Sequence, residues 1–135
     1  MRYMLDTNIL IYLIRNRPPQ VAKRINALKP RDTLSMSFVS YAELCKGAEN
    51  SLQKTKTMRL LQDLTQQVEV NYELGTAICH HYAQQFIRLK QVGTPIGNND
   101  LWIASHALAS DMTLVTNNTR EFERIHGLRL QNWAN

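Results

Sequence analysis

Glycine is scarce in this chain, and what there is does not form a phosphate cradle. Gly93, Gly97 and Gly127 fit neither GxGxxG nor GxxxxGK[ST], which leaves a dinucleotide site and a P-loop without support. Cysteine is scarcer still. Cys45 and Cys79 fall in helix-like segments with no CxxC pairing, so they read as reduced packing residues and not as a disulfide or a zinc site. His80, His81 and His106 stand outside any HExxH context and read as core or surface residues. No serine sits in a GxSxG elbow. No apolar run reaches the roughly 18 residues of a membrane span, and no basic-then-apolar leader opens the chain. Together these absences set the expectation of a soluble, cytoplasmic protein. Repeats, linkers and low-complexity tracts are missing as well, which argues against a modular or fibrous chain.

What is present suits one domain, residues 1–135, because 44% hydrophobic residues are ample for a single core at this length. Sixteen Lys and Arg against 11 Asp and Glu give a formal charge of +5. That balance favours a polyanionic partner, although a solvated basic surface accounts for it equally well.

Hydrophobic periodicity divides the chain into short strands alternating with helices. The apolar run Tyr3 to Leu5 reads as a strand, and Ile9 to Ile14 as a helix ended by Arg17-Pro18-Pro19. A second helix is expected from Pro19 to about Leu28, a buried strand over Thr33 to Phe38, and a helix over Ser40 to Ala48. Met58, Leu61 and Leu64 mark the next helix, which Ser51 is placed to cap. Val68 to Val70 is a brief strand. The longest helical pattern runs from Tyr72 to about Val92, and another follows Asn98-Asn99-Asp100. Thr113 to Thr116 is a strand, Asn117 to Arg124 a loop with a short helix, and Leu128 to Leu130 an edge strand. Such alternation predicts right-handed crossovers and a parallel sheet covered by helices on both faces.

In a sheet of that kind ligands collect beyond the strand carboxyl ends. Asp6, the region before Glu43, and Asn117-Asn118 therefore share one rim, whereas topology alone does not place Asp100. Each acid also has a plain structural explanation. Asp6 or Thr7 suits a helix N-cap. Ser40-Tyr41-Ala42-Glu43 matches the S-x-x-E capping box. Asp100 can end an Asn-Asn-Asp cap. As a group, Asp6, Glu43 and Asp100 make a hard anionic donor set suited to Mg²⁺ or Mn²⁺, without which their charges repel. A phosphatase of the haloacid-dehalogenase type is disfavoured because its D-x-D pattern needs an acid where this chain has Asn8. A non-catalytic metal- or RNA-binding regulatory module remains the alternative.

Four stretches carry a family resemblance. They are Met4-Leu5-Asp6-Thr7-Asn8-Ile9; Ser40-Tyr41-Ala42-Glu43-Leu44 with Gly47; Pro95 to Ala104 followed by His106-Ala107; and Val115-Thr116-Asn117-Asn118 with Glu121-Phe122. In this order they resemble the PIN domain and, more narrowly, the VapC toxins of bacterial toxin–antitoxin pairs. The resemblance implies a three-layer α/β/α domain with a small parallel sheet, and a Mg²⁺ or Mn²⁺ site that cleaves RNA. Asp6, Glu43 and Asp100 match its three acidic metal-site positions. Asn118 matches the fourth, where an acid is usual, and is kept as a possible metal ligand through its amide oxygen. Thr7, Asn8, Ser37 and Thr116 are placed to support the ligands.

The resemblance further implies a homodimer, an RNA substrate such as the anticodon stem-loop of initiator tRNA, and a VapB-type antitoxin that reaches into the acidic site. Ile11, Tyr12 and Ile14 with the Met58/Leu61 helix offer that partner an apolar groove, although a buried core face explains them as well. Arg15, Arg17, Lys54, Lys56, Arg59 and Arg120 are candidate phosphate contacts.

Overall fold

The computed structural model describes residues 1–135. Its strands are β1 (Arg2–Leu5), β2 (Thr33–Ser37), β3 (Glu69–Asn71), β4 (Thr113–Val115) and β5 (Leu130–Gln131). They form one sheet in the order β3-β2-β1-β4-β5, and every pairing is parallel. Side chains alternate across the sheet. Tyr3 and Leu5 therefore join Val115 in one core, while Met4 joins Leu114 in the other. Both faces are covered, which is why the strands read as apolar runs.

Four helices lie on the first face: α1 (Thr7–Arg15), α2 (Pro19–Asn26), α3 (Phe38–Glu49) and α4 (Lys54–Gln67). They contribute Ile9, Leu10, Val21, Leu44, Leu61 and Leu64. The second face is covered by α5 (Thr76–Gln91), α6 (Asn98–Ala109) and the single-turn α7 (Thr119–Phe122), through Leu89, Leu101, Ile103, Ala104, Ala107 and Phe122. Local chemistry sets several boundaries. Pro19 occupies the first turn of α2, where its missing N–H costs nothing. Asn16 closes α1 in the left-handed region, φ 56°, which asparagine tolerates better than most residues. No helix is long and apolar enough to cross a membrane.

Some elements differ from the sequence expectations. Helix α3 begins at Phe38, two residues earlier than its apolar spacing indicates. Ser37 caps it, its Oγ accepting from Val39 N at 3.1 Å. Ser40 thus lies inside the helix with its hydroxyl unpartnered, and the Ser40/Glu43 capping box does not form. Residues 72–75 are not helical, and α5 starts at Thr76. Gln53, not Ser51, is the cap residue of α4, while Ser51 Oγ accepts from Gln53 N at 3.1 Å. Cys79 is exposed, against the expectation of a packing residue, whereas Cys45 is half-buried; both are free thiols. Past β5, Trp133 is buried in the first core and meets Tyr3 edge-on, with 5.0 Å between ring centroids.

Two crossovers carry the chain outward from β1 to β2 and β3, and a third returns it to β4 on the other side of β1. The winding reverses between β1 and β4. Adjacent loops diverge there and leave a crevice at the strand carboxyl ends. The ladder continues one step beyond each strand, with Asp6 N donating to Val115 O at 2.8 Å and Thr116 N to Gln131 O at 3.0 Å. Asp6 and Thr116 are therefore fixed by backbone hydrogen bonds at the crevice itself.

Candidate active site

Asp6 is the N-cap of α1 and is buried, 4% exposed. Its two oxygens have separate partners. Oδ1 accepts from Thr7 N at 2.8 Å, and Oδ2 accepts from Thr116 Oγ1 at 2.7 Å. Of the two cap candidates, Asp6 and Thr7, it is therefore Asp6 that caps the helix while Thr7 opens it, and the cap is the same side chain as the candidate site residue. Burial pushes the Asp6 carboxyl above its ordinary range, against the two hydrogen bonds, and the nearby Glu43 charge adds to the rise.

Glu43 projects from the middle of α3 and is half-buried. Thr7 Oγ1 donates to its Oε1 at 2.7 Å, so one threonine ties the first turn of α1 to α3. Asp100 lies in the first turn of α6, whose N-cap is Gly97, so it is a residue of the helix and not its cap. Its pKa is pushed up to about 7. Burial is the largest cause, followed by the Asp6 charge, a hydrogen bond shared with the Glu121 carboxyl, and the charges of Glu121 and Glu43. Asp6, Glu43, Asp100 and Glu121 thus lie within electrostatic reach of one another at the crevice.

Glu121 was not singled out as a site residue from sequence. It stands three residues after Asn118, so a helix beginning at Thr119 turns both toward the same rim. That spacing was the available signal. Asn118 Nδ2 donates to Glu121 Oε2 at 3.1 Å, and Asn118 N donates to Thr116 Oγ1 at 2.9 Å. Asn118 thus stands at the rim beside Thr116 and holds the acid three residues after it. Of the other expected supports, Thr7 and Thr116 touch the acids directly. Asn8 Nδ2 reaches Thr116 Oγ1 at 3.5 Å. Ser37 Oγ instead meets the buried His106 Nδ1 at 2.9 Å.

No lysine or arginine neutralises this cluster. The ion pairs of the molecule are Met1 N with Asp32, Lys54 with Glu49, and Arg129 with Asp111. A concentration of oxygen donors whose charges raise one another's pKa, without a basic partner, fits a hard divalent cation by its chemistry. No three of the acids close into a group that chelates one ion unaided. Mg²⁺ tolerates this, because it keeps several waters and takes only one or two carboxylates together with substrate phosphate oxygens.

A groove of about 360 Å³ opens beside Thr7 and Glu43. Ile11, Ile14, Leu60 and Leu61 line it, with Arg15 at its wall. Arg15 is the one basic candidate among these lining residues, while Lys54 pairs with Glu49 at 2.7 Å.

Residues 3–128 match the PIN domain family model. The chain belongs to the PIN-domain family, in its VapC branch. It is 50% identical over 134 residues to Ribonuclease VapC1 of Haemophilus influenzae, covering 99% of each protein. It is 37% identical over 135 residues to the tRNA(fMet)-specific endonuclease VapC of Salmonella typhimurium, again covering 99% of each. Among solved structures it superposes on VapBC-1 from nontypeable Haemophilus influenzae with a TM-score of 0.92, at 50% identity and with all of both chains covered. The four stretches that carried the resemblance all lie within the residues that match the PIN family model.

Proposed function

We propose that this chain is a divalent-cation-dependent endoribonuclease, the toxin of a toxin–antitoxin pair acting in the cytoplasm. The observation that carries the reading is the meeting of Asp6, Glu43, Asp100 and Glu121 at the β1/β4 crevice without a basic counter-charge. A Mg²⁺ or Mn²⁺ ion bound there supplies the positive charge that acidifies a water and offsets the charge building on a phosphodiester.

The chain's own residues do the positioning. Asp6, fixed by Thr7 and Thr116, and Asp100 are placed to hold the cation. Glu43, fixed by Thr7, and Glu121, fixed by Asn118, are placed to orient the attacking water. The water oxygen bonds to phosphorus, a carboxylate of the cluster takes the water's proton, and the bond from phosphorus to one sugar oxygen breaks, that oxygen leaving as a hydroxyl with a proton from solvent. Asn118 remains a candidate ligand through its amide oxygen, since its amide nitrogen is engaged by Glu121.

The proposed substrate is tRNA, with the initiator anticodon stem-loop as the first to test. The name of the Salmonella relative supports this. The net charge of +5 supports a polyanionic substrate in general terms. The proposed partner is a VapB-type antitoxin seated in the groove between α1, α3 and α4, from which a side chain reaches Glu43 and its neighbours. A homodimer completes the proposal, with exposed Tyr72, Leu74, Phe86 and Ile87 in and before α5 as an apolar face for it.

Incubation of the purified chain with tRNA and Mg²⁺ or Mn²⁺ tests the reading. Cleavage is expected, together with its loss in EDTA, in Asp6→Asn and in Asp100→Asn. Cleavage that survives either substitution or the chelator contradicts it, and a folded chain that binds RNA without cutting it is the non-catalytic module.

A further inference from the structure

Beside the acids, a second group of polar side chains has no part in the chemistry described so far. Asn117, Tyr12 and Asn132 come from the loop after β4, from α1 and from the segment after β5. Asn117 Nδ2 donates to Tyr12 Oη at 3.1 Å, and Asn132 Nδ2 donates to Asn117 Oδ1 at 3.2 Å. Asn117 is exposed, while Tyr12 and Asn132 are half-buried. The group adjoins the reacting centre, because Asn117 directly follows Thr116, which donates to Asp6.

The direction of these hydrogen bonds is set by the backbone. Ala134 N donates to Asn132 Oδ1 at 2.9 Å, which leaves the amide nitrogen of Asn132 to face Asn117. Asn117 must then present its oxygen to Asn132 and its nitrogen to Tyr12. Asn117 N also donates to Asn8 Oδ1 at 3.2 Å, which holds the backbone of the loop. Trp133, buried beside Asn132, anchors the far end. Tyr12 takes one N–H of the Asn117 amide and Asn132 donates to one lone pair of its oxygen. The other N–H and the other lone pair stay free, and the Tyr12 hydroxyl keeps its proton for an outside acceptor.

We propose that Tyr12, Asn117 and Asn132 form a base-reading shelf that selects the nucleotide next to the cleaved phosphodiester. An amide that is free to flip offers either order of donor and acceptor and so tolerates any base edge. One locked from both sides offers a single order, which is what discrimination requires. Unpaired RNA bases are read in this way, by hydrogen bonds on their edges. Tyr12 and Asn117 make the contact. Asn132 acts through Asn117 and is a positioning residue.

This inference rests on the nuclease reading, so its test separates the two. The full chain is given Mn²⁺ and four RNA hairpins that differ only in the unpaired base beside the cut, and the readout is the ratio of cleavage rates within each variant. The wild type is expected to favour one base by about tenfold or more, the discrimination of a well-placed amide. Asn117→Ala, Tyr12→Phe and Asn132→Asp are each expected to compress that ratio to within about twofold, whatever happens to the overall rate. Asn132→Asp is the sharpest of these, since it keeps the acceptor for Ala134 N and removes only the donor that locks Asn117. Variants that cleave with the wild-type ratio overturn the shelf and leave the nuclease standing, as does a wild type with no preference at that base. A wild type that cleaves no RNA overturns both.

Discussion

At the end of β1, Asp6 is 4% exposed, and both its oxygens accept hydrogen bonds. Across the crevice, Asp100 on the first turn of α6 is half-buried and faces another carboxyl, Glu121, in place of a fixed donor. Both acids are pushed toward the protonated form by burial, but only Asp6 has hydrogen bonds that oppose the push. One side of the crevice is therefore pre-organised for negative charge. The other holds its charge at a cost that a cation relieves. A site divided this way has a fixed reference point beside a carboxyl that would respond to the proposed cation.

Removing the fixed point should have the largest effect. Asp6→Asn keeps the acceptor for Thr7 N and deletes the charge, and cleavage is expected to fall on the order of 10³-fold with little loss of thermal stability. A fall of less than tenfold in steady-state rate would place Asp6 outside the chemistry. Next comes the hydroxyl that holds it. Thr116→Val is expected to weaken Mn²⁺ binding by about 10- to 100-fold and to move the acidic limb of the pH–rate profile upward, since the Thr116 hydrogen bond favours the ionised carboxyl. An unchanged acidic limb would show that this bond serves packing alone. Thr7→Val cuts the tie to Glu43, which is closer to solvent, and a smaller loss is expected, about tenfold or less in rate.

Asp100 should show itself in stability as well as in cleavage. Its folded pKa of about 7 lies above the ordinary 3.8, so as pH rises the unfolded chain gives up the proton before the folded one does. The metal-free protein is therefore expected to lose stability between about pH 4 and about pH 7. Thermal melts should show that decline shrinking in Asp100→Asn and reversing with saturating Mg²⁺, which binds the folded ionised site. A decline identical in wild type and variant would assign it to other groups.

The asymmetry of the crevice also explains what the sequence made legible. The parallel sheet followed from apolar runs alternating with helical periodicity, and Asp6 was placed at once because it directly follows β1. Glu43 was harder, because Ser40 stands at capping-box spacing. The true cap is Ser37, the last residue of β2, and a strand that runs straight into a helix leaves no loop to mark the boundary. Asp100 reached the crevice only through the family resemblance, since a long helix and a loop separate it from β3. Glu121 went unassigned because the acid it faces, Asp100, lies on another helix, and its spacing from Asn118 was the one local signal. Asn132 and Trp133 carry no periodic signal, and their roles come from where the chain returns past β5.

The most direct test of the account is calorimetric titration of Mn²⁺ into the wild type and Asp100→Asn near pH 6.5, each in two buffers of different ionisation enthalpy, which separates metal binding from the protons it displaces. The account expects the wild type to bind Mn²⁺ and release protons, and Asp100→Asn to bind more weakly with most of that release gone. A wild type that takes up no Mn²⁺, or a variant that releases as many protons as the wild type, would contradict it.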